Sequence, residues 1–212
     1  MAVAGEMPLT VTRNKVGEVT ITSDNKDAKI LYQVGKSKPQ LYTSTFRLRE
    51  GGEVSAWYEA NSKIKTSVVF PRIETVPLSV VFASSEETGE GAKFLVDGNP
   101  NSIWHTMYSV TVAQYPHWVD FDMSEVKQIK GFTYLPRQDG PNGRIKDYKI
   151  QISLDGKTWS DTIVEGSFTR DAGVQTVRLK EAIKGRYLRF TALSSQNGAD
   201  FASGAEFGII AD

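Results

Sequence analysis

A short loop in the second half of the chain concentrates oxygen atoms of the kind that a hard cation prefers. Within the segment 94–106, a carboxylate, two amides and a hydroxyl come at close spacing from Asp97, Asn99, Asn101 and Ser102. Ca²⁺ takes roughly six to eight oxygens from carboxylates, hydroxyls and carbonyls. Glu206, in an otherwise small and apolar stretch, is a candidate second carboxylate. The same spacing also fits an Asx turn, in which Asp97 bonds the backbone two residues on, so the pattern leaves both interpretations open.

A second set of residues combines aromatic rings with planar hydrogen-bonding groups. It consists of His105, Tyr108, Arg137, Asn142 and Phe201, all placed between predicted strands. Binding residues tend to collect on loops that a rigid scaffold holds. An aromatic face can pack on the apolar side of a sugar ring while planar donors and acceptors bond its hydroxyls. The set predicts a sugar site, but solvated loop residues without a ligand fit the same pattern.

Four aromatic residues are assigned to the core or the surface by their neighbours. Trp104 and Trp118 stand in apolar company, which favours core positions over a ligand platform. Trp57 and Tyr58 are adjacent on one predicted strand, where successive side chains face opposite sides. We therefore expect one of that pair in the core and the other at the surface.

The elements that must position these loops are short strands separated by turns. Apolar and polar residues alternate along 19–22 and 148–153, and no segment keeps a 3.6-residue apolar period over ten or more positions. Only 91–96 suits a helical turn, and Asp155-Gly156 predicts a hairpin. Further runs are expected as separate strands, among them 118–121, 131–135, 174–179 and 187–193.

The strand pattern predicts an all-β chain of two domains. Pro71 and Pro77 bracket a linker-like stretch, which places the domains at about 7–74 and 77–212. The first is expected to be a small β-sandwich, and the second is long enough for a jelly-roll sandwich. Residues 1–6 do not form a signal peptide. With a second methionine at Met7, we expect them to be non-native residues ahead of an excised fragment, a native cytosolic start being the alternative.

Composition excludes several classes of partner and chemistry. The 212 residues hold 25 Lys and Arg against 25 Asp and Glu, and this zero net charge disfavours nucleic acid as a partner. The absence of cysteine excludes disulfides, thiolate metal sites and a thiol nucleophile. No apolar run approaches the roughly 18 residues of a membrane span, so we expect no membrane insertion.

The two constellations also carry a family resemblance. Residues 94–99 and 102–106 resemble the opening signature of the discoidin, or coagulation factor 5/8 type C, family, whose carbohydrate-binding members are family 32 carbohydrate-binding modules. The agreement continues in order at 131–138, 145–153, Asp155-Gly156, Trp159, 185–190 and 205–207. It extends over about 77–212 and implies a discoidin-type jelly-roll β-sandwich.

The resemblance implies particular residues for a metal and for a sugar. A structural Ca²⁺ at the rim of the sandwich would be held by the carbonyls of Phe94, Asn99 and Ala205, by Ser102, and by the carboxylates of Asp97 and Glu206. In relatives that bind galactose or N-acetylhexosamines, a His follows the signature Trp, an aromatic follows three residues later, and an Arg, an Asn and a last aromatic come from later loops. Here these positions correspond to His105, Tyr108, Arg137, Asn142 and Phe201. The chain is thus expected to be a non-catalytic module for terminal galactose, GalNAc or GlcNAc sugars.

The first domain resembles a second family. Residues 19–69 are similar to the small immunoglobulin-like domain at the C-terminus of chitobiase-type β-hexosaminidases. The strand that contains Tyr32 runs into 35–39, Gly-Lys-Ser-Lys-Pro, where that family has an acidic Asp-Gly-Ser turn. The pairing of domains implies the C-terminal part of an exported bacterial chitobiase or β-N-acetylhexosaminidase, located in the periplasm, at the cell surface or outside the cell. The catalytic domain of that parent enzyme would be its partner.

Other functions remain open from the residues. A glycosidase needs two carboxylates roughly 5–9.5 Å apart, and the candidates are Glu86, Glu87, Glu90 and Asp139. The catalytic barrel of a hexosaminidase needs a longer chain with alternating strands and helices, which disfavours hydrolysis here. Membrane-binding discoidin relatives carry apolar loop tips, whereas 105–109 and 194–198 are largely polar. A structural spacer or a protein-recognition module is the alternative to sugar binding.

Overall fold

The computed structural model describes residues 7–212 and divides the chain into two compact units, one ending at Glu74 and the other spanning Thr75–Asp212. The predicted non-native residues 1–6 lie outside the described part. Strands and turns make up both units, and the described residues include one short 3₁₀ helix, so the predicted all-β class is confirmed. No helix in residues 7–212 has the length and apolar character needed to span a membrane.

The first unit consists of two antiparallel sheets around one core. Its strands are β1 (Thr10–Arg13), β2 (Glu18–Thr22), β3 (Ile30–Val34), β4 (Gln40–Leu41), β5 (Phe46–Arg47), β6 (Gly52–Tyr58) and β7 (Asn61–Phe70). One sheet has the order β1-β2-β5 and the other β4-β3-β6-β7. Val19 and Ile21 from the first sheet meet Val54 and Ala56 from the second in the buried core, which makes the unit a β-sandwich. Its immunoglobulin-like character stays a prediction.

Alternation along β6 places its two aromatic residues as expected. Tyr58 is buried, and its hydroxyl donates to the Met7 carbonyl at 3.0 Å. Trp57 faces the other side, where the Lys65 ammonium lies 5.6 Å from its ring centroid. The prediction of one core and one surface aromatic is therefore confirmed.

The second unit is a larger antiparallel sandwich. Its elements are β8 (Ser79–Ala83), a 3₁₀ helix (Ala92–Val96), β9 (Trp104–His105), β10 (His117–Leu135), β11 (Asp147–Ser153), β12 (Val164–Ser167), β13 (Gln175–Ala192), β14 (Ser203–Gly204) and β15 (Glu206–Ala211). The main path runs β12-β11-β13-β10-β15, with β8 also paired to β10. A separate two-stranded ladder joins β14 to β9. The 3₁₀ helix lies within the segment expected to form a helical turn.

Two long bent strands replace four of the expected short ones. The runs 118–121 and 131–135 are both part of β10, and 174–179 and 187–193 largely belong to β13. Register shifts between β10 and β13 mark the bend in this pair of strands. A Cβ built on Gly131 would lie 2.2 Å from the Val177 carbonyl oxygen, so the close approach there needs a glycine. The interruptions of the strand pattern that we interpreted as turns are in fact bulges within continuous strands.

The bend lets each half of β10 take a different neighbour. The first half pairs with β8, and the second half pairs with β15. Phe121 on the first half stacks on Phe207 of β15, with ring centroids 4.6 Å apart. Phe132 on the second half lies 5.7 Å from the same Phe207 ring. These buried rings close the core of the second unit.

The two tryptophans differ in position. Trp104 is 1% exposed and lies in the core, as predicted. The core prediction for Trp118 is wrong, because it stands beside the inward-facing Val119 and therefore points to the outer face of the sheet. There it is half-buried, packs against Phe82 and lies under the Arg189 guanidinium, 5.4 Å from its ring centroid.

Replacing Phe132 by Ala should strongly destabilise the second unit. The ring is 1% exposed among other aromatics, and removal of such a ring typically costs about 3–5 kcal/mol. Calorimetric unfolding of the second unit measures the loss. Val174→Ala, at a valine that is 60% exposed, is the control and should stay within about 0.5 kcal/mol of the parent chain. Equal effects of the two substitutions would contradict this description of the core.

Candidate functional site

The ladder between β9 and β14 brings distant loops together. Ser203 pairs with His105 and Gly204 pairs with Trp104. Just outside the ladder, the Thr106 amide donates to the Ala202 carbonyl at 2.9 Å. The loop that carries Phe201 is therefore fixed beside the strand that carries His105, although the two are far apart in sequence.

Three of the predicted sugar-binding side chains form one aromatic group, defined here as the triad of His105, Tyr108 and Phe201. The His105 ring centroid lies 4.8 Å from that of Tyr108 and 5.4 Å from that of Phe201. The rings of Tyr108 and Phe201 are 6.2 Å apart. Tyr108 is 44% exposed while His105 is 1% exposed. The triad therefore presents Tyr108 to the surface and keeps His105 beneath it.

A backbone contact fixes the hydrogen on the His105 ring. Nδ1 lies 2.6 Å from the Thr106 carbonyl oxygen, and a carbonyl only accepts, so Nδ1 is the donor. In the neutral ring Nε2 is then an acceptor. Its lone pair could then accept a hydrogen from a ligand hydroxyl.

Arg137 is held in place by a carboxylate. Its Nε and Nη2 donate to the two carboxylate oxygens of Asp139 at 2.7 and 2.8 Å, and Nη1 lies 3.4 Å from the Asn142 carbonyl. This hydrogen-bonded pair raises the pKa of Arg137 and lowers the pKa of Asp139. A bidentate pair of this kind orients the guanidinium and leaves some of its five N–H donors for other partners.

Asn142 connects the same loop to the last one. Its side-chain oxygen accepts from the Asn197 amide at 3.1 Å, and its carbonyl accepts from the Ser203 hydroxyl at 2.8 Å. A Cβ built on Gly143 would lie 3.3 Å from the Cβ of Phe201, so the two loops are in close contact. The structure thus brings all five predicted sugar-binding residues into one region.

The sequence interpretation missed Glu90 as a member of this region. The His105 amide donates to the Glu90 carbonyl at 3.0 Å. The Glu90 carboxylate raises the pKa of Tyr108 by its charge, and the same negative charge contributes to the raised pKa of Arg137. Its Oε2 is buried and has no hydrogen-bond partner among residues 7–212. In the sequence Glu90 appears only as one acid of a loop, and nothing there shows which acid turns towards the triad.

Glu87 has a structural role in the same loop. Its buried carboxylate accepts from the amides of Tyr108 and Ser109, both at 2.8 Å, and from the Ser109 hydroxyl at 2.7 Å. The Thr88 amide is a fourth donor at 2.9 Å. These hydrogen bonds, that from the Tyr108 amide first, lower the pKa of Glu87 to about 2. Because its lone pairs are used, Glu87 holds the Tyr108 loop rather than offering a free carboxylate for catalysis.

The oxygen-rich loop has the Asx turn that its sequence also suggests. The Asn99 amide donates to Asp97 Oδ1 at 2.8 Å. The Ser102 hydroxyl lies 2.7 Å from Asp97 Oδ2 and 2.8 Å from the Asn99 carbonyl oxygen. Oxygens of three predicted cation ligands are therefore adjacent. The described residues contain no cluster of three or more His, Asp or Glu side chains suited to a metal, so any cation here would rely largely on neutral oxygens.

The remaining predicted cation ligands belong to elements that pack together. Phe94 is part of the 3₁₀ helix, and this helix contacts β15, which begins with Glu206. A Cβ built on Gly204 would lie 3.0 Å from the Leu95 side chain. The Ala205 amide bonds the Leu135 carbonyl at 2.9 Å, which fixes the backbone at the start of β15.

Glu87→Gln should lower stability in a pH-dependent way. An amide in place of the carboxylate would turn its NH₂ group towards at least one of the four donors. The depressed pKa means that the carboxylate stabilises the fold above the ordinary Glu pKa of about 4.3, and that this contribution is lost as the pH falls through about 2. The difference in thermal midpoint between the parent chain and Glu87→Gln should be full at pH 5–7 and shrink below about pH 4.

Glu165→Gln provides the control for this comparison, because Glu165 is exposed on β12. It should leave the midpoint unchanged at neutral pH. A Glu87→Gln variant as stable as the parent at pH 7, or a difference that persists undiminished at pH 2.5, would contradict the assigned role.

Comparison with known proteins identifies the family of the second unit. The family model of the F5/8 type C domain matches residues 81–207. Among curated proteins, a sialidase of Micromonospora viridifaciens is 32% identical over 206 residues, which are 95% of this chain but 29% of the sialidase. The chain therefore spans less than a third of that relative.

Two solved structures place the same unit among bacterial carbohydrate-active proteins. CpGH89CBM32-5 from Clostridium perfringens, in complex with GalNAc-β-1,3-galactose, is 31% identical with a TM-score of 0.59 over 64% of this chain and 99% of that one. The C-terminal domain of a chitobiase from Bacteroides fragilis is 25% identical with a TM-score of 0.57, over 66% of this chain and 96% of that one. Since the family match covers more than half of its residues, the chain belongs to the F5/8 type C domain family.

Proposed function

We propose that the second unit is a non-catalytic sugar-binding module that holds one terminal galactose or N-acetylhexosamine residue. The observation that carries this proposal is the convergence of the aromatic triad with Arg137, Asn142 and Glu90 at one surface. A few fixed polar groups beside an aromatic face are typical of small-ligand sites. The similar Clostridium perfringens module, whose structure contains GalNAc-β-1,3-galactose, supports the same class of ligand.

Each group has a distinct part in the proposed site. The exposed Tyr108 ring would cover the apolar face of the sugar, and Nε2 of His105 would accept one hydroxyl hydrogen. The Arg137 guanidinium would donate to ring hydroxyls, and the Glu90 carboxylate would accept from them. Because His105 is almost fully buried, it contributes through one ring edge only. We expect a Kd on the order of 0.1–1 mM, which corresponds to roughly −4 to −5.5 kcal/mol.

Calorimetric or NMR titration with galactose, N-acetylgalactosamine and N-acetylglucosamine tests the proposal. At least one sugar should bind saturably, and Arg137→Ala should weaken that binding by at least about tenfold, since charge-assisted hydrogen bonds contribute about 1.5–3 kcal/mol. His105→Ala should have a comparable effect. N-acetylgalactosamine and N-acetylglucosamine differ only in the configuration at C4, so their relative affinities identify the orientation of O4 that the site accepts.

Arg47→Ala is the matched control, because Arg47 is exposed in the first unit. It should bind sugar as the parent chain does. No saturable binding to any of the three sugars by a folded chain would sink the proposal and favour a spacer or protein-recognition role.

We also propose that the chain belongs to a larger exported glycoside hydrolase and keeps its catalytic domain close to glycans. The sialidase match extends over both units of this chain, which supports the pairing of the two units within such an enzyme. The similarity to the C-terminal domain of a chitobiase supports a β-hexosaminidase as the other candidate parent. In either parent the first unit would act as a spacer that orients the sugar-binding module.

The oxygen-rich loop supports a proposal for a structural Ca²⁺. Its donors are all oxygens, as a hard cation requires, and those of Asp97, Asn99 and Ser102 are already adjacent. The proposed ligands are Phe94, Asp97, Asn99, Ser102, Ala205 and Glu206. When bound, Ca²⁺ would supply the positive charge that joins the loop after the 3₁₀ helix to the start of β15.

Addition of Ca²⁺ should then raise the unfolding temperature of the second unit. At a free concentration of 100 times Kd the stabilisation is about 2.7 kcal/mol, and chelation with EDTA should reverse it. Asp97→Ala should abolish the response, whereas Asp161→Ala, at another exposed aspartate, should retain it. An unfolding temperature that does not depend on Ca²⁺ in the parent chain would contradict the site.

A further inference from the structure

A second recess lies beside the Tyr108 loop, at the edge of the sandwich. It has a volume of about 620 Å³ and is bounded by residues 80–83 of β8, by 86–89 and Gly91, and by Lys93 and Phe94. That volume falls within the range of about 300–1,000 Å³ that small-ligand sites occupy. None of the five predicted sugar-binding residues lines it. We call it the edge cavity.

The side chains of the edge cavity combine apolar rings with charged groups of both signs. Phe82 is 50% exposed, and the Lys93 ammonium lies 5.1 Å from the centroid of the Phe94 ring. Glu86 is held in place because one of its carboxylate oxygens accepts from the Ala92 amide at 2.6 Å. Two acids, Glu86 and Glu87, and one base, Lys93, line the cavity together with the Thr88 hydroxyl. The Glu87 carboxylate is already engaged by four donors, so Glu86 and Lys93 are the charged groups left for a ligand. This lining suits a neutral ligand with both apolar and hydroxyl-bearing faces better than an ion.

The open edge of β8 is poorly suited to a peptide strand. Among the described strands, β8 pairs with β10 alone, so its other edge faces the cavity. The register slips between Asp120 and Phe121, where β8 has the extra residue Val81. A bulge of this kind interrupts the regular row of backbone groups that strand addition requires. The few backbone groups that remain accessible suit the hydroxyls of a small ligand.

One turn separates the edge cavity from the proposed sugar site. It is closed by the hydrogen bond from the Glu90 amide to the Glu87 carbonyl at 3.0 Å, with Gly89 at φ +84°. Glu87 and Glu90 act on the Tyr108 loop, and Glu86, Glu87 and Thr88 line the cavity, so Glu87 belongs to both. No atom of residues 7–212 lies within 4 Å of a Cβ built on Gly89, apart from its own chain neighbours, so the surface over the turn is open.

We propose that the edge cavity is a second saccharide subsite, which binds an inner, uncharged sugar residue of a glycan whose terminal residue occupies the triad. This proposal rests on the proposed function, because the glycan crosses the turn at Gly89 from that site. A second subsite makes the module selective for extended neutral glycans over single sugars.

NMR titration of the ¹⁵N-labelled chain separates the two sites. The probes are galactose, the disaccharide GalNAc-β-1,3-galactose, and a neutral tetrasaccharide that ends in the same disaccharide. Galactose should shift the amide signals of Tyr108 and Phe201 alone. The tetrasaccharide should shift those of Thr88 and Lys93 as well, and should bind about three- to tenfold more tightly than galactose.

Variants of the cavity test whether those shifts reflect binding there. Phe82→Ala should reduce tetrasaccharide affinity about three- to tenfold, to the level of galactose, and leave galactose affinity unchanged. Because Phe82 packs on Trp118, Lys93→Ala is the second variant, and it changes the cavity without touching the sheet. Val126→Ala, at a valine 45% exposed outside the cavity lining, is the control and should bind both ligands as the parent chain does.

The outcomes are distinct for the two proposals. Shifts at Tyr108 and Phe201 with equal affinity for all three probes, and none at Thr88 and Lys93, would overturn the subsite and leave the sugar-binding function intact. Silence at every position would overturn the subsite, and would overturn the sugar-binding function too if N-acetylglucosamine also fails to bind. Shifts at Thr88 and Lys93 that Phe82→Ala and Lys93→Ala leave unchanged would also overturn the subsite.

Discussion

The short ladder between β9 and β14 is the contact on which the site of this F5/8 type C domain depends. Trp104 is buried and fixes β9 in the core, so the next residue, His105, has little freedom. Across the ladder, Gly204 lies against Tyr134 and Leu95, where a Cβ would be 2.8 and 3.0 Å from their side chains. One glycine thus permits the close packing that joins the 3₁₀ helix, the triad and the last loop.

Carboxylates around the site divide into different roles according to their hydrogen bonds. Glu87 accepts four, and its low pKa follows from them, so its charge is used to hold a loop. Asp139 is engaged with Arg137 and orients that guanidinium. Glu90 retains a buried oxygen with no hydrogen-bond partner in the described residues. Similar acids in one sequence therefore differ in function because their surroundings differ.

Local patterns in the sequence predicted what depends on local physics. Alternation gave the strands and the opposite faces of Trp57 and Tyr58, and the order of polar and aromatic loop residues predicted which of them meet. The continuous strand His117–Leu135 was missed because its bulges look like turns in the sequence. The outward orientation of the Trp118 side chain was missed because apolar neighbours in the sequence do not determine which face of a strand lies inward. The separate roles of Glu87 and Glu90 depend on contacts between loops, which spacing does not encode.

Weak ligands such as single sugars bind best where the protein is ordered in advance, since ordering a loop on binding lowers affinity. The last loop meets this requirement through Tyr115, which precedes β10, and His117, the first residue of that strand. The Tyr115 hydroxyl donates to the Phe201 carbonyl, and Nε2 of His117 donates to the Asp200 carbonyl at 2.8 Å. Burial lowers the pKa of His117, so the ring stays neutral at physiological pH and no charge is buried beneath the loop. Glu87 holds the Tyr108 loop by hydrogen bonds in a similar way. The protein therefore positions both Tyr108 and Phe201 before a sugar binds.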